Sequence, residues 1–290
     1  MSSASDGRVV IVTGAGQGIG RAHALALAAD GALVVVNDVG EAAEQVAEQI
    51  RATGAEAVAS QGDVSDWAYG EKLVATAINA FGRLDALVNN AGLVRDRMLV
   101  NMSEQEWDLV LKVDLKGHFV PLRHAAAWWR QQAKDGQPVQ ARVVNTSSGA
   151  GLLGSVGQGN YSAAKAGVVA LTQVAAVEMA RFGVRLNAIA PAARTPMTEA
   201  VFATTMARPE TGFDPMAPEN VSPLVVWLTS LDCDVTGRVF EVEAGVISPA
   251  DGWQHGPRED RGDRWPVDEV GPAVRRLLAQ APTPAPVYGA

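Results

Sequence analysis

The sequence is poor in the residues that build disulfide, metal and nucleic-acid chemistry. Its single cysteine, Cys233, cannot close an internal disulfide, and one Cys with four His supplies no CxxC or Cys/His cluster at zinc spacing. No metal site is therefore expected, and a reducing, cytoplasmic compartment is. Basic residues are the minority charge, with 24 Lys and Arg against 32 Asp and Glu and a net charge of −8. A protein that neutralises a run of phosphates needs the opposite balance, so nucleic acid is not expected as a partner. No stretch approaches the roughly 18 to 20 consecutive apolar residues of a membrane span, and Met1 to Arg8 is polar, without the apolar centre of a signal sequence. No membrane partner is expected either. What is abundant is apolar material, 48% of 290 residues, enough for one large core.

From Arg8 onward one cadence repeats: a short β-branched run, a Gly or Asp/Asn turn, then a longer amphipathic stretch. It predicts strands over Val9–Val12, Leu33–Asn37, Ala55–Ser60, Leu84–Asn89, Arg142–Thr146, Val184–Ala190 and Arg238–Val242. Helices are predicted over Gly18–Ala29, Glu41–Thr53, Trp67–Phe81, Glu104–Gln132, Gly159–Arg181 and Glu219–Leu231. Several strand segments are apolar throughout, as expected when helices cover both faces of a sheet. The expected fold is α/β: one Rossmann-type, doubly wound, seven-stranded parallel sheet filling residues 8–247. Two segments interrupt the cadence. The stretch 195–218, with four prolines and with Phe202, Met206, Phe213 and Met216, follows a strand end, where substrate loops sit. Residues 248–290 form an extension with one helix near Asp268–Ala279 and then Pro282, Pro284 and Pro286, an arm that either packs on a neighbouring subunit or frays.

The string Thr13-Gly14-Ala15-Gly16-Gln17-Gly18-Ile19-Gly20 links the first strand to the first helix. Side-chain-free positions let a backbone turn tightly against a pyrophosphate, whose charge the helix amides favour, so Gly14, Gln17, Gly18, Ile19 and Gly20 are candidate cofactor contacts. Alone, the string would also suit an ordinary flexible turn. Asp38 ends the second strand, where a carboxylate accepts hydrogen bonds from ribose hydroxyls and repels a 2′-phosphate. Gln17 offers that phosphate no counter-charge, so NAD is favoured, although Arg21 leaves NADP open and Asp38 could instead cap the next helix.

Tyr161 and Lys165 stand one helical turn apart in Gly159-Asn160-Tyr161-Ser162-Ala163-Ala164-Lys165, on one helix face. A phenol has a pKa near ~10 and must be stabilised as phenolate to act as a base, which a nearby ammonium does. Ser148 follows the strand ending at Thr146 and can hydrogen-bond a substrate oxygen as charge develops on it. Separately, each has a bland reading as a core tyrosine, a solvated lysine and a turn serine. Together they supply what hydride chemistry needs: an oxygen anchor, a proton carrier and a cation to tune it.

With Asn89-Asn90-Ala91-Gly92 between them, these motifs form an ordered set that resembles the short-chain dehydrogenase/reductase family over about residues 8 to 247. The resemblance implies that Asp63, after Gly62, meets the adenine ring with Val64 beside it, that Asn90, Ala91 and Gly92 line the cofactor cleft, and that Tyr161 and Lys165 reach the nicotinamide ribose. It also implies pairing of the Glu104–Gln132 and Gly159–Arg181 helices across a dimer within a homotetramer. Two positions depart from the family pattern. Asp114 stands where the family has an Asn that helps a proton relay; it is either a surface or helix-kinking residue, or serves through its main-chain carbonyl. The step Pro191-Ala192-Ala193-Arg194-Thr195 is one residue short, leaving Thr195 as the candidate for the carboxamide or pyrophosphate. Within the family the chain looks like the (3R)-hydroxyacyl-CoA dehydrogenase module of the peroxisomal multifunctional β-oxidation enzyme and its hydroxysteroid dehydrogenase relatives. The expectation is an NAD-dependent oxidoreductase acting on a bulky, apolar secondary alcohol or a CoA thioester. Alternatives are an NADPH-dependent 3-oxoacyl thioester reductase and a non-catalytic dinucleotide sensor.

Overall fold

Alternation along β1 (Val9–Val12) decides how the sheet is covered. Val10 and Val12 enter one apolar cluster and Val9 and Ile11 another, because successive side chains leave a strand on opposite faces. The computed structural model describes residues 3–196, 206–250 and 252–289. The strands that follow are β2 (Leu33–Asp38), β3 (Ala57–Gln61), β4 (Ala86–Asn89), β5 (Ala141–Thr146), β6 (Val184–Ala192), β7 (Val239–Glu243) and β8 (Val246–Pro249). Among the described residues they form one sheet in the order β3-β2-β1-β4-β5-β6-β7-β8.

The first seven strands are parallel, as the cadence predicts. The eighth was not expected. It pairs antiparallel with β7, from Glu243 opposite Val246 to Phe240 opposite Pro249, after a tight return in which Ala244 takes a φ of 52°. Such a return carries no Asn-Gly or Asp-Gly signal, and β8 is short and largely exposed, so neither turn chemistry nor alternation marks it.

On one face lie α1 (Gly18–Ala29), α2 (Ala42–Ala52) and α8 (Ser222–Thr229), whose Leu27, Ile50 and Leu228 close over Val10, Val12, Val34 and Val36. On the other lie α3 (Trp67–Phe81), α5 (Gly117–Lys134) and α7 (Gly159–Ala180), which bury Leu73, Trp129 and Met179 over Val9, Ile11 and Val35. Trp129 is core, its indole N–H donating to the carbonyl of Leu84 at 2.7 Å. The strand order reverses between β1 and β4, and the crevice beyond their carboxyl ends is where the glycine turn and Asn90 to Gly92 meet.

The helix expected over Glu104–Gln132 is three pieces. Ser103 and Glu106 form a reciprocal capping box that starts α4 (Glu104–Val110). A π-turn over Leu111–Lys116 follows, then α5 with Pro121 in its early turns. Apolar periodicity cannot reveal a single widened turn. The α7 helix has 22 residues and is the one described helix long and apolar enough to cross a membrane. It lies along β6 and the π-turn, and its outer side leaves Val174 and Val177 exposed.

The extension carries α9 (Val267–Gln280). Its end returns to the body of the chain. Tyr288 donates its N–H to Gly154 (3.2 Å) and accepts from the Val156 N–H (2.9 Å), pairing with the chain's own segment after α6 (Gly149–Leu153).

Candidate active site

The glycine turn is shaped by contacts that exclude side chains. A Cβ at Gly20 would stand 2.2 Å from the Gly14 carbonyl oxygen, and one at Gly14, where φ is 60°, would stand 2.7 Å from the Ala91 Cα. Two backbone segments thus touch directly, and the surface beyond them is bare main chain at the start of α1, whose amides suit a pyrophosphate. Thr13 Oγ1 ties the segments, accepting from the N–H groups of Asn90 (3.0 Å) and Ala91 (3.1 Å). Asn90 Nδ2 returns hydrogen bonds to the carbonyls of Thr13 and Gly14.

Asp38 does not cap the helix after it. One carboxylate oxygen accepts the Gly16 N–H at 2.9 Å and the other the Val39 N–H at 2.7 Å, which fixes the acidic group beside the turn at the end of β2. Arg21 lies outside this site, its guanidinium held by Gln49 Oε1. Asp63 accepts from the Ser65 N–H and hydroxyl and pairs with Lys112 at 3.1 Å. Burial alone would raise its pKa, but the Ser65 hydrogen bonds and Lys112 hold it below the usual carboxylate value.

A cavity of about 570 Å³ runs from this turn to the catalytic candidates. Its walls include Gly14, Gln17, Gly18, Ile19, Gly20, Asp38, Asp63, Val64, Asn90, Ala91, Gly92 and Thr195. Ser148 and Tyr161 stand at the far end. Thr195 also approaches the turn, its Cγ2 lying 3.3 Å from where a Gly18 Cβ would be. Every cofactor-binding candidate except Lys165 therefore meets the cavity. A bare-backbone cradle with the Asp38 carboxylate on one side and Asp63 on another fits a nicotinamide dinucleotide.

Lys165 is buried behind the wall, 2% exposed. Its Nζ donates to the Thr146 carbonyl (3.0 Å) and faces Asp114 Oδ1 at 3.3 Å. It also lies 5.6 Å from the centre of the Tyr161 ring. Ser148 shares the cavity wall with Tyr161, and its Oγ accepts the Ala150 N–H, capping α6. Burial pushes the Tyr161 phenol above its ordinary pKa, with Asp114 and Asp96 adding to the rise, while Lys165 and the nearby Ser148 hydroxyl oppose it. The net direction is upward, so Lys165 offsets the effect of burial without overcoming it.

Asp114 is neither on the surface nor present through its carbonyl alone. The π-turn directs its carboxylate inward, fully buried, where both oxygens accept from the Leu93 N–H (3.3 and 3.1 Å). Sequence reasoning missed that contact, and it also missed the clamp on α7. Asn160 Nδ2 donates to the carbonyls of Arg95 and Glu106, and Gln158 Nε2 donates to Asp96. A Gln and an Asn just before Tyr161 were the available signal.

The substrate end is apolar, with Leu93, Val94, Leu109, Val113 and Met206 on its walls. Of the apolar residues predicted in the 195–218 loop, Met206 lines the cavity and Phe213 is exposed; Phe202 lies outside the described residues. Gly149 and Gly154 lie under Tyr288 and Val287.

The family model described as short chain dehydrogenase matches residues 8–205. The chain is 49% identical to the hydroxyacyl-CoA dehydrogenase ChsB1 of Mycobacterium tuberculosis, over 94% of this chain and 89% of that protein. It is 44% identical to the peroxisomal multifunctional enzyme type 2 of Mus musculus over 83% of this chain, spanning 32% of that longer protein. A crystal structure of a short chain dehydrogenase from Mycobacterium avium superposes with a TM-score of 0.92 at 60% identity, covering 99% of this chain and 100% of that one.

Proposed function

The chain belongs to the short chain dehydrogenase family, an oxidoreductase acting on CH–OH groups, and from that premise we propose that it uses NAD to interconvert a secondary alcohol and a ketone in 3-hydroxyacyl-CoA thioesters. The observation that carries the chemistry is Ser148 and Tyr161 together on the cavity wall, with Lys165 buried behind it and its Nζ 5.6 Å from the centre of the Tyr161 ring. When bound, the nicotinamide accepts or returns the hydride. Tyr161 Oη takes the hydroxyl proton in the oxidising direction and returns it in the reducing one, while Ser148 Oγ–H holds the substrate oxygen. Leu93, Val94, Leu109 and Val113 exclude water from the carbon that reacts.

The choice of NAD rests on Asp38, held toward the cavity by two backbone amides, and on Arg21 being engaged elsewhere. The thioester class rests on the likeness to ChsB1 and on the apolar substrate end. The exposed Val174 and Val177 on α7 support its pairing between subunits of a homotetramer.

Oxidation requires the phenolate, and burial raises the Tyr161 pKa. The oxidation rate should therefore climb with pH until the phenol has titrated, and ketone reduction, which needs the phenol, should fall over the same range. The test is NADH formation with 3-hydroxyacyl-CoAs, hydroxysteroids and simple secondary alcohols, repeated with NADP. Tyr161→Phe should cut turnover by about 10²- to 10⁴-fold while NAD binding, read by fluorescence, persists. Full activity in that variant would reject the mechanism, and better use of NADP would favour the 3-oxoacyl reductase reading.

A further inference from the structure

Among the described residues Asp114 is the one acidic side chain paired with the ammonium that faces Tyr161, and the fold is built to keep it there. The π-turn brings it inward, and the Leu93 N–H holds both carboxylate oxygens. Gly92 leaves it room, because a Cβ there would lie 2.6 Å from Asp114 Oδ1 and 3.3 Å from Lys165 Nζ. Lys165 is fixed from its other side by the Thr146 carbonyl. The carboxylate is thus set against the ammonium by three segments, the π-turn, the loop after β4 and α7, with no room for a relay molecule in the 3.3 Å between them.

We propose that Asp114 is a positioning residue that shares the charge of Lys165 and so makes Tyr161 hold its proton more firmly than a neutral side chain at position 114 would allow. The physical basis is simple. An ammonium 5.6 Å from the ring centre favours the phenolate, and a carboxylate 3.3 Å behind that ammonium cancels part of its field at the phenol. The charged and titratable groups facing Tyr161 are Lys165 from α7, Asp114 from the π-turn and Asp96 from the loop after β4, with the Ser148 hydroxyl from the start of α6. His118, in the first turn of α5, faces Lys165, but burial and that ammonium keep its pKa well below the ordinary value, so it stays neutral. Asp114 is therefore the one member of this group, other than Lys165 itself, whose charge acts through Lys165 rather than on the phenol alone. It biases the site toward a protonated Tyr161, the proton donor of ketone reduction.

This inference rests on Tyr161 as the proton carrier, a reading that the Tyr161→Phe variant tests by itself. The closing experiment is the Asp114→Asn variant, near-isosteric and still able to accept from Leu93. In alcohol oxidation the acidic limb of its kcat/KM profile should move to lower pH by about one unit, a tenfold change in proton affinity, with KM for NAD little altered. An independent readout needs no turnover. The chain has three tyrosines, at 69, 161 and 288, and the ultraviolet phenolate titration of Tyr161 is isolated by its loss in Tyr161→Phe. Its midpoint should fall in Asp114→Asn, and should fall likewise in Asp114→Ser, a smaller neutral replacement. A purely structural role would lower the melting temperature and leave that midpoint and the acidic limb in place, which would overturn the proposal. Failure of both neutral variants to fold would also overturn it, since the carboxylate would then be needed for burial of the pair and not for tuning Tyr161.

Discussion

The two ends of the cavity are built by different means. Around Gly14 and Asp38 nearly every contact is made by or to the backbone: carbonyl against Cα, amide to carboxylate, threonine hydroxyl to two amides. Around Tyr161 the contacts are among side chains that the sheet and helices have buried, with a charged pair 2% and 0% exposed. The first arrangement is local and tolerates solvent. The second depends on desolvation, so each of its groups is set by what lies behind it, and removing one leaves another without a partner.

The largest effect expected from that contrast is at the buried end. Lys165→Met removes the cation and leaves the Asp114 carboxyl buried against one amide, so stability should fall by about 3–5 kcal/mol and turnover by about 10²- to 10⁴-fold. Adding Asp114→Asn should restore part of the stability but not the turnover, as calorimetry and initial rates would read. Loss of turnover with no change in melting would show that the pair is not buried as described. At the backbone end Gly20→Ala is the sharpest probe, since its Cβ would fall 2.2 Å from the Gly14 oxygen and 2.5 Å from Asn90 Nδ2. Overpacking of this kind costs about 1–3 kcal/mol. NAD affinity should drop roughly tenfold or more, with kcat at saturation nearly kept, and unaltered affinity would break the assignment of this turn to the cofactor. The smallest effect is expected at Asp38, where Asp38→Ser removes the charge proposed to oppose a 2′-phosphate. The NADP-to-NAD ratio of kcat/KM should rise roughly tenfold, about 1.4 kcal/mol, and a constant ratio would place cofactor selection elsewhere.

How much of this was readable from the chain follows the same division. The glycine turn, β1, α1 and α3 coincide with their predicted spans because each is local: β-branched runs, bare positions before a helix, and an Asp66 cap answered by Gly82 at the other end. Ser148, Tyr161 and Lys165 were legible as a set because one helical turn and one strand end place them without help from distant residues. The role of Asp114 was not legible, since the choice between a surface and a buried carboxylate was made by a π-turn that apolar periodicity does not mark. Nor was the return of the tail to the segment after α6, because a proline-rich end names no partner.

The amino-acid sequence by itself therefore determined the parallel α/β architecture through its period of strand and helix, and it marked the candidate catalytic residues through residue types at spacings that short-range geometry enforces. Tertiary structure alone decided which charges face one another out of water, Asp114 against Lys165. The reason is that an ion pair's effect depends on its burial and on separations of a few ångströms between elements, and both exist only after α7, the π-turn and β4 have packed together.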